Sequence, residues 1–315
     1  MEKIKRNVGI NGAFLKICAI ITMLTDHIGG GILERALYGA HPLTGSMYKN
    51  ILSVDNVLRN IGRLAFPIFI FLLIEGFHYT HSKLQYTLRM FIFAFISEIP
   101  FDLAFNKSWF YPQSNNVFFT LVIGFLTVWA LDELQDHITQ DHIYELFGLF
   151  MADTFIIYFG MSLALFLFTD YDAGGVAAIV IMYIYRNWDK YTRASSLFLG
   201  ISSGILTILA SAIEGPKWLF PLEALIILLI PIAMTIFSKK VNFSWRMLNI
   251  TGMAMTVITL SMTNGIIELW ALFNILLIFF YNGKRGRQIK YFFYAFYPVH
   301  LLIIAIIANA MGLKW

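Results

Sequence analysis

The residues best suited to chemistry in this chain are ionisable side chains set in strongly apolar sequence. Asp26 and His27 close the run LKICAIITMLTDHIGG. Neighbours on a helix are about 100° apart around its axis, so the two side chains face different surroundings. A neutral His27 imidazole suits general-base work near pH 7, or brief carriage of an acyl group, with a carboxylate such as Asp26 orienting its ring. A plainer role stays open, in which the Asp-His pair marks a helix end hydrated among lipid headgroups.

Further along, IGRLAFPIFIFLLIEGF sets Arg63 and Glu75 about three turns apart in apolar surroundings, with Pro67 between them favouring a bend. Arg63 needs a partner inside the bundle. Asp26, Glu98 and Asp102 are the candidates, either in a locking ion pair or around a clamp for an anion or carbonyl. In ISEIPFDLAF, Glu98 and Asp102 are four residues apart on one helix face and repel unless an arginine, a cation or a retained proton intervenes. Asn115 and Asn116 open another apolar run in QSNNVFFT, and Asp170 and Asp172 lie in TDYDAGG. His300, in YFFYAFYPVHLLI, falls near mid-membrane, where a lone histidine is either structural or part of a site. Asp26, His27, Arg63, Glu98, Asp102, Asn116 and Asp170 come from five helices at similar depth, an arrangement expected of a site.

These positions must be held by helices in a bilayer. Of 315 residues, 58% are hydrophobic and 13% charged, and the mean hydropathy is +0.70. A water-soluble globule has no core large enough for that much apolar sequence. The fold class is therefore all-α, a polytopic membrane bundle of about eleven spans in a single domain covering residues 1–315. The spans are expected near 11–33, 60–79, 84–106, 116–132, 146–168, 172–186, 194–213, 218–237, 246–262, 265–281 and 290–311. The stretch 34–59 reads as a loop, a re-entrant piece or a substrate lip on the outer side.

Charge sets the orientation. With the N-terminus inside, Lys3, Lys5, Arg6, Lys83, Arg186, Lys190, Arg193, Lys239, Lys240, Arg246, Lys284, Arg285, Arg287 and Lys290 are cytoplasmic. Only Arg35, Lys49, Arg59, Lys107, Lys217 and Lys314 remain outside, as the positive-inside rule requires. The basic N-terminus ahead of an apolar run lacks a small-x-small cleavage site and reads as a retained first helix. The net charge of +4 is spread between spans, which argues against nucleic-acid binding. One cysteine, Cys18, offers no disulfide framework and no metal spacing, so no metal is expected. Basic Arg89, Arg186, Lys190 and Lys284 are candidates to hold the phosphates of a soluble donor, or else act in topology and anionic-lipid contact.

The segments LKICAIITMLTDHIGG, IGRLAFPIFIFLLIEGF, YTLRMFIFAFISEIPFDLAF, NNVFFTLVIG, TDYDAGGVAAI and YFFYAFYPVHLLI, in that order, resemble the TraX family, membrane proteins named for an enzyme that N-acetylates conjugative pilin. The resemblance spans nearly the whole chain. It implies a multi-pass acetyltransferase of the bacterial cytoplasmic membrane, related by fold to acyltransferases that include heparan-α-glucosaminide N-acetyltransferase. It also implies acetyl-CoA as co-substrate. The family's DH falls on Asp26 and His27, its GR on Gly62 and Arg63, its EG on Glu75, its SExPFD on Glu98 and Asp102, and its terminal histidine on His300. Asp172 stands where the family's TDYG has glycine.

On that reading acetyl passes from cytoplasmic acetyl-CoA to an amine or hydroxyl on a peptide, pilin-like or glycan acceptor outside. His27 is base or acyl carrier, Asp26 orients it, and Arg63 with Asn116 stabilises the oxyanion. Glu98 and Asp102 bind a cationic amine, with Asp170, Glu75 and His300 also on the substrate side. A proton-coupled transporter is the alternative, since kinked polar helices and stacked carboxylates suit that too.

Overall fold

A computed structural model describes residues 9–106, 108–137, 142–213, 219–238, 240–287 and 290–313. Lys3, Lys5, Arg6, Lys107, Lys217, Lys239 and Lys314, used above to orient the chain, lie outside the described residues. The helices are α1 (Gly12–Ile28), α2 (Glu34–Tyr38), α3 (Gly45–Gly62), α4 (Ala65–Tyr79), α5 (Lys83–Phe105), α6 (Val117–His137), α7 (Ile143–Phe166), α8 (Asp172–Arg186), α9 (Arg193–Ile213), α10 (Phe220–Phe237), α11 (Trp245–Asn264), α12 (Asn274–Phe279) and α13 (Lys290–Ala310). No strand forms among the described residues. In hydrocarbon a helix satisfies its own backbone polar groups, which a strand with an open edge does not.

Among the described residues seven stretches are long and apolar enough to cross a bilayer: Gly12–Tyr38, Gly45–Tyr79, Val117–His137, Tyr144–Phe166, Arg193–Ala212, Phe220–Phe237 and Phe292–Ala310. The protein is thus a polytopic helical membrane bundle. Helices α5 and α8 complete it for different reasons. Four charged residues, Lys83, Arg89, Glu98 and Asp102, dilute the hydropathy of α5, while α8 is short and buried on every side from Ala173 to Tyr185. Stacked against α4, α6, α7, α9 and α11, α8 is the bundle's axis.

Two regions depart from the sequence expectation. The stretch 34–59 is mostly helix, because α3 runs from Gly45 through an elbow at Arg63 and Leu64 into α4. Its mean hydropathy is too low to read as a span, and the side it turns to α1 carries Asp55, Arg59 and Gly62, while Met47, Val54, Val57 and Ile61 stay exposed. The stretch 265–281 is a 3-10 helix, Ile266–Phe273, leading into the short α12. At about 2.0 Å rise per 3-10 residue and 1.5 Å per α residue, these two pieces cover about 25 Å, nearly a bilayer's hydrocarbon depth.

The helix ends sort by charge. Lys83 at the start of α5 pairs with Asp132 near the end of α6, and Lys190 beyond α8 pairs with the same carboxylate at 2.7 Å. Arg186 at the end of α8 pairs with Glu75 near the end of α4. Residues 9–12 are stitched to 280–284 by backbone hydrogen bonds such as Gly12 N–H to Lys284 O at 2.8 Å. These ends form one basic face of the bundle. Burial works against the Lys190 ammonium, but its hydrogen bonds to Asp132 and Asp136 prevail and hold it above the usual lysine value.

At the opposite face the TDYDAGG turn and the residue before it carry three non-glycine residues in the left-handed region: Phe168 (φ 48°), Tyr171 (φ 64°) and Asp172 (φ 40°). Asp172 thus occupies a conformation natural to the glycine of the related TDYG pattern. Aspartate tolerates that region better than a β-branched residue does. Asp172→Val is therefore expected to destabilise the protein by about 1 to 3 kcal/mol and Asp172→Gly by less, measured as midpoints of unfolding in SDS.

Candidate functional site

Beyond Ile28 the first helix does not end but widens into a π-helical turn, Gly29–Leu33, of sequence GGGIL. All three glycines are buried, and π turns inside helices recur at functional sites. Just before this turn stand Asp26 and His27. The elbow between α3 and α4 closes on Asp26 so tightly that a Cβ at Gly62 would fall 2.2 Å from the Asp26 Oδ1. Only glycine admits that approach.

Arg63 Nη2 donates to Asp26 Oδ1 at 2.6 Å, and Nη1 donates to Glu268 Oε1 at 3.0 Å. Arg59, one turn earlier, donates to Asp26 Oδ2 at 2.8 Å and reaches Glu34 at 3.3 Å. Asp26 is therefore shared between two guanidinium groups, each charge-assisted and partly desolvated. The expected Asp26–Arg63 pairing forms. Its orienting role toward His27 does not show as a contact, since Asp26 spends both carboxylate oxygens on arginines.

His27 instead meets His300. The Nδ1 of His27 lies 2.6 Å from the Nε2 of His300, and the rings are coplanar to within 1°. His300 Nδ1 lies 2.7 Å from the backbone carbonyl of Phe296. A carbonyl only accepts, so His300 carries its proton on Nδ1 and its Nε2 accepts from the His27 Nδ1–H. This chain fixes the His27 tautomer and leaves the His27 Nε2 lone pair for base chemistry. His27 is half-buried and His300 is 4% exposed.

Several other expectations meet a different geometry. Asn116 is fully buried with its amide engaged: it donates to the Ala94 carbonyl at 2.8 Å and to Glu98, and accepts from Phe118 N–H. It caps α6 and is not turned toward His27 or Arg63, which corrects the oxyanion role expected of it. Asp102, also fully buried, accepts from Asn106 at 3.0 Å and from the Tyr111 N–H at 2.7 Å. Glu98 and Asp102 thus take separate donors, and both tie the residues just before α6 to α5, while Glu98 Oε1 is buried with no hydrogen-bond partner among the described residues. Asp170 joins those residues by donating its backbone N–H to the Asn115 carbonyl at 2.8 Å, while the Asn115 N–H donates to the Phe168 carbonyl. Arg186 and Lys190 are spent on Glu75, Asp132 and Asp136, so they do not form the expected donor cluster. Lys284 lies near the basic face but not on the cavity described next.

A cavity of about 370 Å³ enters the bundle from the basic face. Lys16, Arg89 and Arg285 stand at its mouth, and Glu75 with Tyr281 on its wall. Its inner end is closed by Met23, Val117, Phe118 and Tyr297. Met23 lies one turn before His27, and the Tyr297 ring stands edge-on to both His27, at 5.9 Å, and His300, at 5.7 Å. The two histidines are therefore one side chain beyond the cavity's end. Among the described residues no group of histidine, cysteine and acidic side chains is arranged to hold a metal ion.

Sequence reading missed Glu268, Arg59, Lys16, Arg285 and Tyr297 as site residues. Glu268 had a signal: it is a lone acid in the apolar run IIELWALF, which is costly in hydrocarbon without a partner. Arg59 had another, since it precedes Arg63 by one turn.

Comparison with known proteins adds the family. A probable fimbrial assembly protein, FimC of serogroup H1, from Dichelobacter nodosus is 29% identical over 130 residues, covering 39% of this chain. The match takes in 47% of that protein, about half its length. No solved structure matches the chain. The family model described as TraX protein matches residues 11–230 and 205–308, which take in every residue of the Asp26–Arg63–Glu268 cluster and the histidine pair. On the strength of that match, this multi-pass membrane protein belongs to the TraX family.

Proposed function

We propose that this protein transfers an acetyl group from cytoplasmic acetyl-CoA to an amine or hydroxyl acceptor at the outer face of the bacterial cytoplasmic membrane. The observation that carries the proposal is the cavity that opens between basic residues at one face and ends one side chain short of the His27–His300 pair. A nucleotide-bearing thioester is strongly anionic at one end and slender and mostly apolar at the other. Lys16, Arg89 and Arg285 suit the first, and the cavity lined by Phe118, Leu121, Phe293 and Tyr294 suits the second.

In this scheme His27 Nε2 takes the proton from the acceptor as its nitrogen or oxygen attacks the thioester carbon. His300, held by the Phe296 carbonyl, keeps His27 in the productive tautomer and shares its positive charge. The Asp26–Arg59–Arg63–Glu268 network locks α1, the α3–α4 elbow and the 3-10 helix around the reacting position. The acceptor class draws support from the relative's description as a fimbrial assembly protein, which favours a peptide terminus of a fimbrial or pilin-like subunit.

The test uses purified protein in nanodiscs with acetyl-CoA. Saturable binding, and slow release of free CoA thiol by hydrolysis, are expected; no binding at millimolar acetyl-CoA would sink the proposal.

A further inference from the structure

Among the polar groups that no ion pair absorbs, one is aimed where the proposed chemistry needs it. Tyr297 is 3% exposed, and its phenolic O–H finds no acceptor for its proton among the described residues; the group beside the oxygen is the Val117 N–H, which can only donate to it. Leaving such a group unpaired in a buried site has a free-energy cost that is usually relieved by a ligand or water. Tyr297 closes the inner end of the cavity and its ring abuts both histidines. Val117, the first residue of the long helix α6, lines the same end, so the positive pole of that helix lies beside the phenol.

We infer that Tyr297 is a catalytic residue whose O–H donates a hydrogen bond to the thioester carbonyl oxygen as it becomes an oxyanion. The inference rests on the donor reading given above and fills the place that Asn116, sequestered by Ala94 and Glu98, does not. When the acceptor lone pair forms its bond to the carbonyl carbon, the C=O π pair moves to oxygen and is held by the Tyr297 O–H and the N-terminus of α6. The acceptor's proton goes to His27 Nε2. The pair then returns, the C–S bond breaks, and the departing CoA thiolate takes up the proton that His27 releases. Tyr297 keeps its own proton throughout, so its contribution falls on the charged intermediate and not on ground-state binding.

The test is Tyr297→Phe, which keeps the ring and removes only the phenolic oxygen. With wild-type protein in nanodiscs, acetyl-CoA and water or an alanine dipeptide amide as acceptor, the variant is expected to lose about a hundredfold or more in kcat. Its KM for acetyl-CoA should stay within about twofold, the split expected when an interaction exists only in the transition state. Its SDS unfolding midpoint should match wild type. An active wild type with an equally active Tyr297→Phe overturns the assignment alone, as does a variant that loses its stability, since the hydroxyl would then be structural. A wild type that neither binds nor cleaves acetyl-CoA overturns the donor reading and this assignment with it.

Discussion

Replacing His27 with alanine is expected to lower the rate of acyl transfer by about a hundred- to ten-thousandfold, the range that a positioned general base contributes. The protein should remain folded, because His27 is half-buried and its polar contact is the single hydrogen bond to His300. His300→Ala should be milder. It leaves the His27 base in place but frees its ring to adopt either tautomer and removes the neighbour that shares its charge. The comparison also separates base from carrier: an acyl-histidine intermediate would appear as a burst of CoA thiol, one per protein, ahead of steady turnover. Single-turnover thiol release from the two variants and the wild type is the measurement. Equal rates in His27→Ala and wild type would remove His27 from the chemistry.

The second large effect concerns stability. Arg63 holds Asp26 and Glu268 at once, and the Glu268 side chain is 1% exposed. Arg63→Met should destabilise the bundle by about 3 to 5 kcal/mol, because it leaves an uncompensated buried carboxylate. Asp26 suffers less, since Arg59 still pairs with it at 2.8 Å. Removing both partners, as in Arg63→Met with Glu268→Gln, should recover much of the loss, and the double-mutant cycle isolates the coupling. SDS titration of the four proteins, followed by tryptophan fluorescence, gives the energies. An additive double variant would show that the two residues stabilise the fold independently.

How much of this was legible in the sequence depends on what kind of interaction fixed each feature. Apolar runs of bilayer length are a local property, so most spans fall where hydropathy puts them, as with 84–106 against Lys83–Phe105. The α3 helix escaped because its mean hydropathy is low and the side that meets α1 is polar, so only the contacts of Asp55, Arg59 and Gly62 with α1 and its π turn reveal where it packs. The crossing at 265–281 was placed, but its 3-10 character escaped, because hydropathy reports an apolar run and not how tightly its helix is wound.

In the site, Asp26 and Arg63 were recognisable as partners from charge and depth. The His27–His300 contact joins residues 273 positions apart, and Arg63–Glu268 joins residues 205 apart. Neither is encoded in any spacing; each depends on where α13 and the 3-10 helix pack against α1 and the elbow. For Glu98 and Asp102 the spacing showed two carboxylates on one face but not the donors that nearby Asn106, Tyr111 and Asn116 bring to them, nor that Glu98 Oε1 stays buried without a partner among the described residues.

In the proposed scheme donor enters from the basic face and reaches the histidine pair through the cavity. The most direct test of that scheme is a sided one, with the protein inserted in one orientation in sealed vesicles and acetyl-CoA supplied to a single face at a time. Free CoA thiol should appear only when acetyl-CoA contacts the face bearing Lys16, Arg89 and Arg285, and it should stop when His27 is replaced. Equal release from either face, or release that His27→Ala leaves untouched, would rule out donor entry through this cavity to the histidine pair.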